Sequence, residues 1–239
     1  MIPKIIHKVI IVEDGKLPKL PEGWRRAIET WYKMNPGYKV VLYSGDDCIE
    51  YIKKYFDDDI LKSFIMLKSY AYRCDFFRHL LLYNEGGWYT DSRMVCMESL
   101  DTLMRQNKEY YTSTDLPINV PCMCIGFIGS IAKHPISKKM IDLVMLNIKH
   151  RHYGINPLYP TGPCTYINAS IDYIRFHPDK CLIGKRITEN GSTYIEFGDC
   201  RILRVKYNDA EGGDNTDIKG TNNYNTLWYS RDVYDDVPE

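Results

Sequence analysis

In the segment AYRCDFFRHLLLYNEGGWYTDSRMV, residues 71–95, charged side chains recur at spacings that could hold a polar ligand. Asp75 and Arg78 stand three apart in a helical run and so share one face. On a solvated helix such a pair is worth only about 0.2–0.5 kcal/mol. Here Cys74, Phe76, Phe77, Leu80, Leu81 and Leu82 surround it, and a charge buried among apolar groups needs a partner or a ligand. The run stops at Gly86-Gly87, since glycine takes left-handed backbone cheaply. A strand follows that carries Asp91, with Arg93 two residues on. Strand ends in open α/β sheets are where ligands bind. Carboxylates there accept hydrogen bonds from hydroxyls, and a guanidinium offers a forked donor to oxyanions.

The elements that must position these groups follow from the hydrophobic pattern. Ile5 to Val12 reads as a buried strand, and Pro21 to Met34 as a helix ended by Asn35-Pro36-Gly37. Tyr38 to Tyr43 is a second strand, and Asp46 or Asp47 caps a helix through Tyr55. Asp57-Asp58-Asp59 caps a helix starting near Ile60. The strongest helical signal runs from Ser63 to Glu85, and Trp88 to Met97 is the next strand. Cys124 to Ile131 is strand-like, Ser137 to Lys149 and Tyr166 to Phe176 are helical, and Tyr159 to Pro163 is a turn. This alternation predicts an α/β domain with a central, mostly parallel mixed sheet flanked by helices. No linker or composition shift divides residues 1–239, so one domain is expected. The polar, Gly-rich stretch at about 209–225 is expected to be a mobile loop.

Composition narrows the function classes. Lys and Arg number 31, and so do Asp and Glu, so no overall field favours nucleic acid, whose phosphates each need a cation. At 239 residues a single core suffices. The eight cysteines show neither CxxC nor zinc-finger spacing, and Cys122 with Cys124 reads as a buried pair of free thiols. The N-terminus lacks a signal-peptide layout and no run is long enough to span a membrane, which points to the cytoplasm. No Gly-rich, Lys-bearing phosphate loop follows the first strand, which disfavours a nucleotidyltransferase. His7 is read either as lining a base pocket or as a satisfied core histidine. His150 and His152 belong to a solvated helix end.

The order Asp-x-x-Arg, then Gly-Gly-x-Tyr-x-Asp, at Asp75, Arg78, Gly86, Gly87, Tyr89 and Asp91 resembles the sugar-binding region of the DXD-containing glycosyltransferases of family 32. It is also similar to the glucosylating domain of large cytotoxins. Ile2-Pro3-Lys4-Ile5-Ile6-His7, Trp31 with Asn35-Pro36-Gly37-Tyr38, Thr161-Gly162-Pro163 and Thr226-Leu227-Trp228 have counterparts in that family, so the resemblance runs from residue 2 to about 228. It implies a GT-A (Rossmann-like) fold and a hexosyltransferase. The reaction implied takes a sugar from a nucleotide-diphosphate donor to a hydroxyl of a glycan or lipid-linked glycan, with retention of configuration. Peripheral contact with a membrane is compatible with such an acceptor. By the same resemblance Asp75, Arg78 and Asp91 bind donor hydroxyls, and Thr226 and Trp228 donate to the diphosphate. Asp91 and Asn223 fall at metal-ligand positions.

One position departs from that pattern. Where the family places the last acid of its motif, on the divalent manganese or magnesium, this chain has Arg93. A guanidinium cannot ligate a metal and repels a cation beside it, so a metal cofactor is placed in doubt. Arg93 can instead meet the leaving diphosphate with a permanent charge. The catalytic set expected is thus Asp91, Arg93 and Arg78. Against it stand a degenerate transferase fold that only binds a glycan or a partner enzyme, and an Arg93 turned outward with a metal held by other groups.

Overall fold

The computed structural model describes residues 1–115, 122–208, 211–213 and 222–236. The chain opens as expected with β1 (Ile5–Val9), α1 (Glu22–Met34), β2 (Lys39–Tyr43) and α2 (Gly45–Tyr55). Ser44 rather than an aspartate caps α2. Its hydroxyl accepts from the Asp47 N–H while the Asp47 carboxylate accepts from the Ser44 N–H. Asp57 caps α3 (Asp58–Met66) through the Ile60 N–H.

The long helical signal is two helices. After α3 the chain extends at Leu67 and starts again as α4 (Tyr70–Asn84). The break is held by the end of the chain. Lys68 N–H donates to Val233 O, Asp235 N–H donates to Met66 O, and Leu67 bridges Tyr234. α4 is buried nearly all round, from Phe76 through Leu82 without a gap, the pattern of a core helix.

The strand expected at 88–97 is likewise interrupted, at the charged residues themselves. β3 (Gly87–Thr90) ends before Asp91, the chain turns with Met94 N–H bonded to Asp91 O, and β4 (Val95–Cys96) leaves in another direction. The chain continues through α5 (Leu100–Met104), β5 (Tyr110–Thr114), β6 (Met123–Ser130), α6 (Pro135–Lys149) and α7 (Pro163–Phe176). Then come β7 (Cys181–Glu189), β8 (Ser192–Phe197), β9 (Cys200–Arg204) and α8 (Tyr224–Tyr229).

Among the described residues nine strands form one sheet in the order β2-β1-β3-β6-β5-β7-β8-β9-β4. The α/β class is as expected, but the balance of strand directions is not. β1/β2, β1/β3 and β5/β7 are parallel, and the other five described ladders are antiparallel. Two of those five come from tight hairpins late in the chain. Asn190 and Gly191 both take positive φ, 48° and 74°, in a two-residue turn, and Gly198 at 59° begins the next. Successive strand residues face opposite layers. Trp88, Phe127 and Tyr111 pack beneath α1 and α5, while Tyr89, Ile128 and Tyr110 pack among α4, α6 and α7. The open ends of β1, β3 and β6 thus lie between two filled layers and carry the polar site. The loop expected at 209–225 lies mainly outside the described residues.

Candidate active site

The Gly86-Gly87 turn sets where β3 begins. Gly86 has φ 70° and Gly87 98°, and a Cβ on either would lie within 2.8 Å of backbone, Ala132 N and Ser130 O for the first and Ile5 O for the second. His7 belongs to this turn and not to a ligand pocket. Its Nε2 sits 2.9 Å from Gly86 O, its Nδ1 3.3 Å from Tyr43 Oη, and burial lowers its pKa. The base-pocket reading of His7 is therefore replaced by the core one, because both ring nitrogens are already spent on the protein.

Arg78 is only 4% exposed and is the centre of the site. Its Nη2 donates to Asp75 Oδ1 at 2.6 Å, its Nη1 to Ile125 O at 2.5 Å and to Asp91 Oδ1 at 3.4 Å, and its Nε to Cys74 O at 3.2 Å. The guanidinium also lies 4.3 Å over the Tyr89 ring. Burial by itself would lower its pKa, but the oxygens of Tyr89, Asp75 and Asp91 outweigh it and raise it. The four hydrogen bonds leave one N–H of five for a ligand. Arg78 therefore acts first by fixing two carboxylates. Asp75 is held on its other oxygen by the Thr161 hydroxyl at 3.1 Å, which gives the Thr161-Gly162-Pro163 turn its place in the site.

Asp91 differs from both in being half open, its side chain 47% exposed. Tyr89 Oη donates to its Oδ1 at 3.0 Å, and its backbone N–H and C=O are tied to Gly126 O and Met94 N–H. Below it lies a residue that sequence reasoning missed. Lys8 is fully buried on β1, with its Nζ 3.3 Å from Asp91 O and 4.7 Å over the Trp31 ring. Desolvation pulls its pKa down to about 7 against the pull of Asp91. A lone lysine in the apolar run Ile5–Ile11 was the available signal.

Arg93 reaches a cavity of about 420 Å³ bounded also by Trp24, Ile10, Asp75, Arg78, Asp91 and Asn223. Its guanidinium lies 5.4 Å over the Trp24 ring and makes no ion pair among the described residues. A second cavity, about 210 Å³, shares Ala71, Asp75, Arg78, Asp91 and Tyr224 with the first. The C-terminal candidates fare differently from expectation. The Trp228 indole N–H donates to Tyr153 O at 2.8 Å and its ring is buried in the core, so no donor is left for a diphosphate. Thr226 is exposed on α8 and lines neither cavity. Asn223 borders the larger cavity, but its Oδ1 caps α8 by accepting the N–H groups of Asn225 and Thr226.

The donor set does not fit a divalent cation. Asp91 Oδ1 is engaged by a phenol and a guanidinium, Asn223 Oδ1 by two amides, and the cationic Arg93 lines the same cavity. Among the described residues no three His, Cys, Asp or Glu side chains are grouped to hold a metal.

With this geometry in view, the matches to known proteins fall into place. Residues 21–110 match the family model described as the glycosyltransferase sugar-binding region containing DXD motif. The chain carries a glycosyltransferase sugar-binding region. It is 27% identical over 216 residues, 87% of its length and 83% of the relative's, to an uncharacterized glycosyltransferase of Acanthamoeba polyphaga mimivirus. It is 28% identical over 150 residues to the mannosyl phosphorylinositol ceramide synthase of Saccharomyces cerevisiae, covering 63% of this chain but 35% of that one. Among solved structures the PaToxG glycosyltransferase superposes with a TM-score of 0.52 at 20% identity, over 73% of this chain and 70% of that one. The ligand-free glycosyltransferase domain from the YGT toxin gives 0.50 at 9% identity, over 76% of this chain and 80% of that domain. These likenesses agree with the GT-A architecture. The matched segment 21–110 contains Asp75, Arg78, Asp91 and Arg93 together.

Proposed function

We propose that this glycosyltransferase moves a sugar from a nucleotide-diphosphate donor to a hydroxyl acceptor with retention of configuration, and that Arg93 supplies the positive charge at the leaving diphosphate. The observation that carries this reading is a guanidinium, unpaired with any carboxylate among the described residues, in the same cavity wall as the Asp75–Arg78–Asp91 cluster. At about 420 Å³ the larger cavity falls within the roughly 300–1,000 Å³ of pockets that take ligands of drug size. Trp24 and Ile10 give it an apolar wall suited to a base.

In this reading the half-open Asp91 accepts hydrogen bonds from donor hydroxyls, while Asp75 and Arg78 hold it in place. As the bond from the anomeric carbon to the phosphate oxygen breaks, negative charge grows on the diphosphate. Arg93 meets that charge with a forked donor that needs no reorganisation. The acceptor oxygen bonds to the anomeric carbon on the face being vacated, and its proton passes to the departing phosphate oxygen. No protein nucleophile is required, and position and charge do the catalysis. Mannose is the first sugar to test, since relatives carry mannosyltransferase names. A glycan or lipid-linked glycan is the acceptor class proposed. No described helix is long and apolar enough to cross a membrane, and the eight free thiols suit a cytoplasmic site.

Calorimetry tests the binding half. Wild-type protein titrated with UDP and GDP in chelator should bind one of them. Arg93→Ala should weaken it at least tenfold, the value of about 1.4 kcal/mol expected from losing one charged hydrogen bond. Binding of neither nucleotide, with or without manganese, would favour the degenerate fold.

A further inference from the structure

The smaller cavity has a charged pair of its own. Arg186 on β7 puts its Nη1 2.5 Å from Asp115 Oδ1, just past β5, and both line the space with Pro157, Leu158 and Val205. Arg186 gives that one side-chain hydrogen bond and no other to any described residue, so the rest of its fork is available to a ligand.

Resting on the donor reading above, we propose that this cavity is the acceptor subsite and that it takes one neutral hexopyranose unit, whose neighbouring hydroxyls bridge Asp115 and Arg186. Three features converge on that class. At about 210 Å³ the space is below the roughly 300 Å³ at which drug-sized pockets begin, room for a single ring. Its charged lining is Asp75, Asp91 and Asp115 against Arg78 and Arg186, a balance that opposes a phosphate or carboxylate and suits a polyol. Pro157, Leu158, Val205 and Tyr224 supply the apolar face on which the C–H side of a pyranose rests. Position completes the case. The wall contains Asp75, Arg78 and Asp91 but neither Arg93 nor Trp24, so a ring seated here meets the donor at its sugar and not at its diphosphate.

The test measures donor turnover with and without acceptor, using GDP-mannose, UDP-glucose and UDP-galactose as donors and methyl glucoside, galactoside and mannoside as acceptors. In Asp115→Asn and Arg186→Met the ratio of transfer to donor hydrolysis should fall, and the acceptor KM should rise, by about tenfold or more, the worth of one or two charged hydrogen bonds. Arg186→Lys should recover part of the loss, and nucleotide affinity by calorimetry shows that the variants are folded with the donor cavity intact. An unchanged ratio in both variants, a loss of nucleotide affinity equal to the loss of transfer, or a preference for hexose 6-phosphates over the neutral methyl hexosides would each overturn the subsite. Failure of the donor reading shows separately, as wild-type protein that neither binds nucleotide nor turns over any donor.

Discussion

Asp75→Ala removes the closest anion from a guanidinium that is 4% exposed. What remains for Arg78 is one Asp91 oxygen at 3.4 Å and two backbone carbonyls. Removing one partner of a buried pair costs about 3–5 kcal/mol, because the other charge stays desolvated. The surviving contacts put this case near the lower end, and the stranded Thr161 hydroxyl adds about 1 kcal/mol. For a chain of this size each kcal/mol moves Tm by roughly 2–4 °C, so a loss of about 4 kcal/mol lowers it by roughly 8–16 °C. Asp75→Asn keeps an oxygen for Arg78 and turns an N–H to the Thr161 hydroxyl, which can accept it, and should lose less than half as much. Thermal melts of the three proteins read the difference, and urea unfolding gives the free energy. A loss in Asp75→Ala below about 1 kcal/mol, the value of a solvated ion pair, would refute the claim that this cluster is a buried, mutually dependent unit.

Gly126→Ala would place a Cβ 2.5 Å from the Met94 Cε and 2.7 Å from Asp91 Oδ2. Donor turnover should fall at least tenfold, the rate equivalent of about 1.4 kcal/mol, in a protein that still melts cooperatively, and wild-type rates would place Asp91 outside the reaction. Lys8 titrates near 7 in the fold and near 10.4 unfolded. Between those values only the unfolded chain holds the proton, so wild-type stability should rise by up to about 1.4 kcal/mol per pH unit relative to Lys8→Met. Parallel urea-unfolding curves for the two proteins from pH 7.5 to 9.5 would show that Lys8 is not desolvated. Neither ring nitrogen of the buried His79 has a hydrogen-bond partner among the described residues, and burial lowers its pKa to about 3. Stability should therefore fall as pH drops from about 6.5, the unfolded value, towards 3, and His79→Leu should flatten that fall.

Much of the site was legible because its chemistry is local in sequence. Asp75 and Arg78 lie one helical turn apart, and Asp91 follows a turn that only glycines allow, so spacing alone placed three groups together. What spacing could not show is how donors and acceptors are already spent. His7, Asn223 and Trp228 each have the right functional group at the expected position, yet Gly86 O, the α8 amides and Tyr153 O take them up. Lys8 escaped notice because its meaning depends on strand pairing, which sets its ammonium under Asp91. The late hairpins announced themselves only through Asn190-Gly191 and a lone Gly198. The 63–85 helix read as one because the chain end that splits it, at Val233 to Asp235, is more than 160 residues away.

Replacement of a divalent cation by Arg93 is tested most directly by initial rates of nucleotide-diphosphate release from GDP-mannose, UDP-glucose and UDP-galactose, measured in chelator and again with manganese. If Arg93 supplies the charge, wild-type rates survive chelation and change little with manganese. Arg93→Asp then becomes dependent on manganese, and Arg93→Ala stays slow in both, since neither charge source remains. Wild-type protein that is silent in chelator and restored by manganese would contradict the replacement outright.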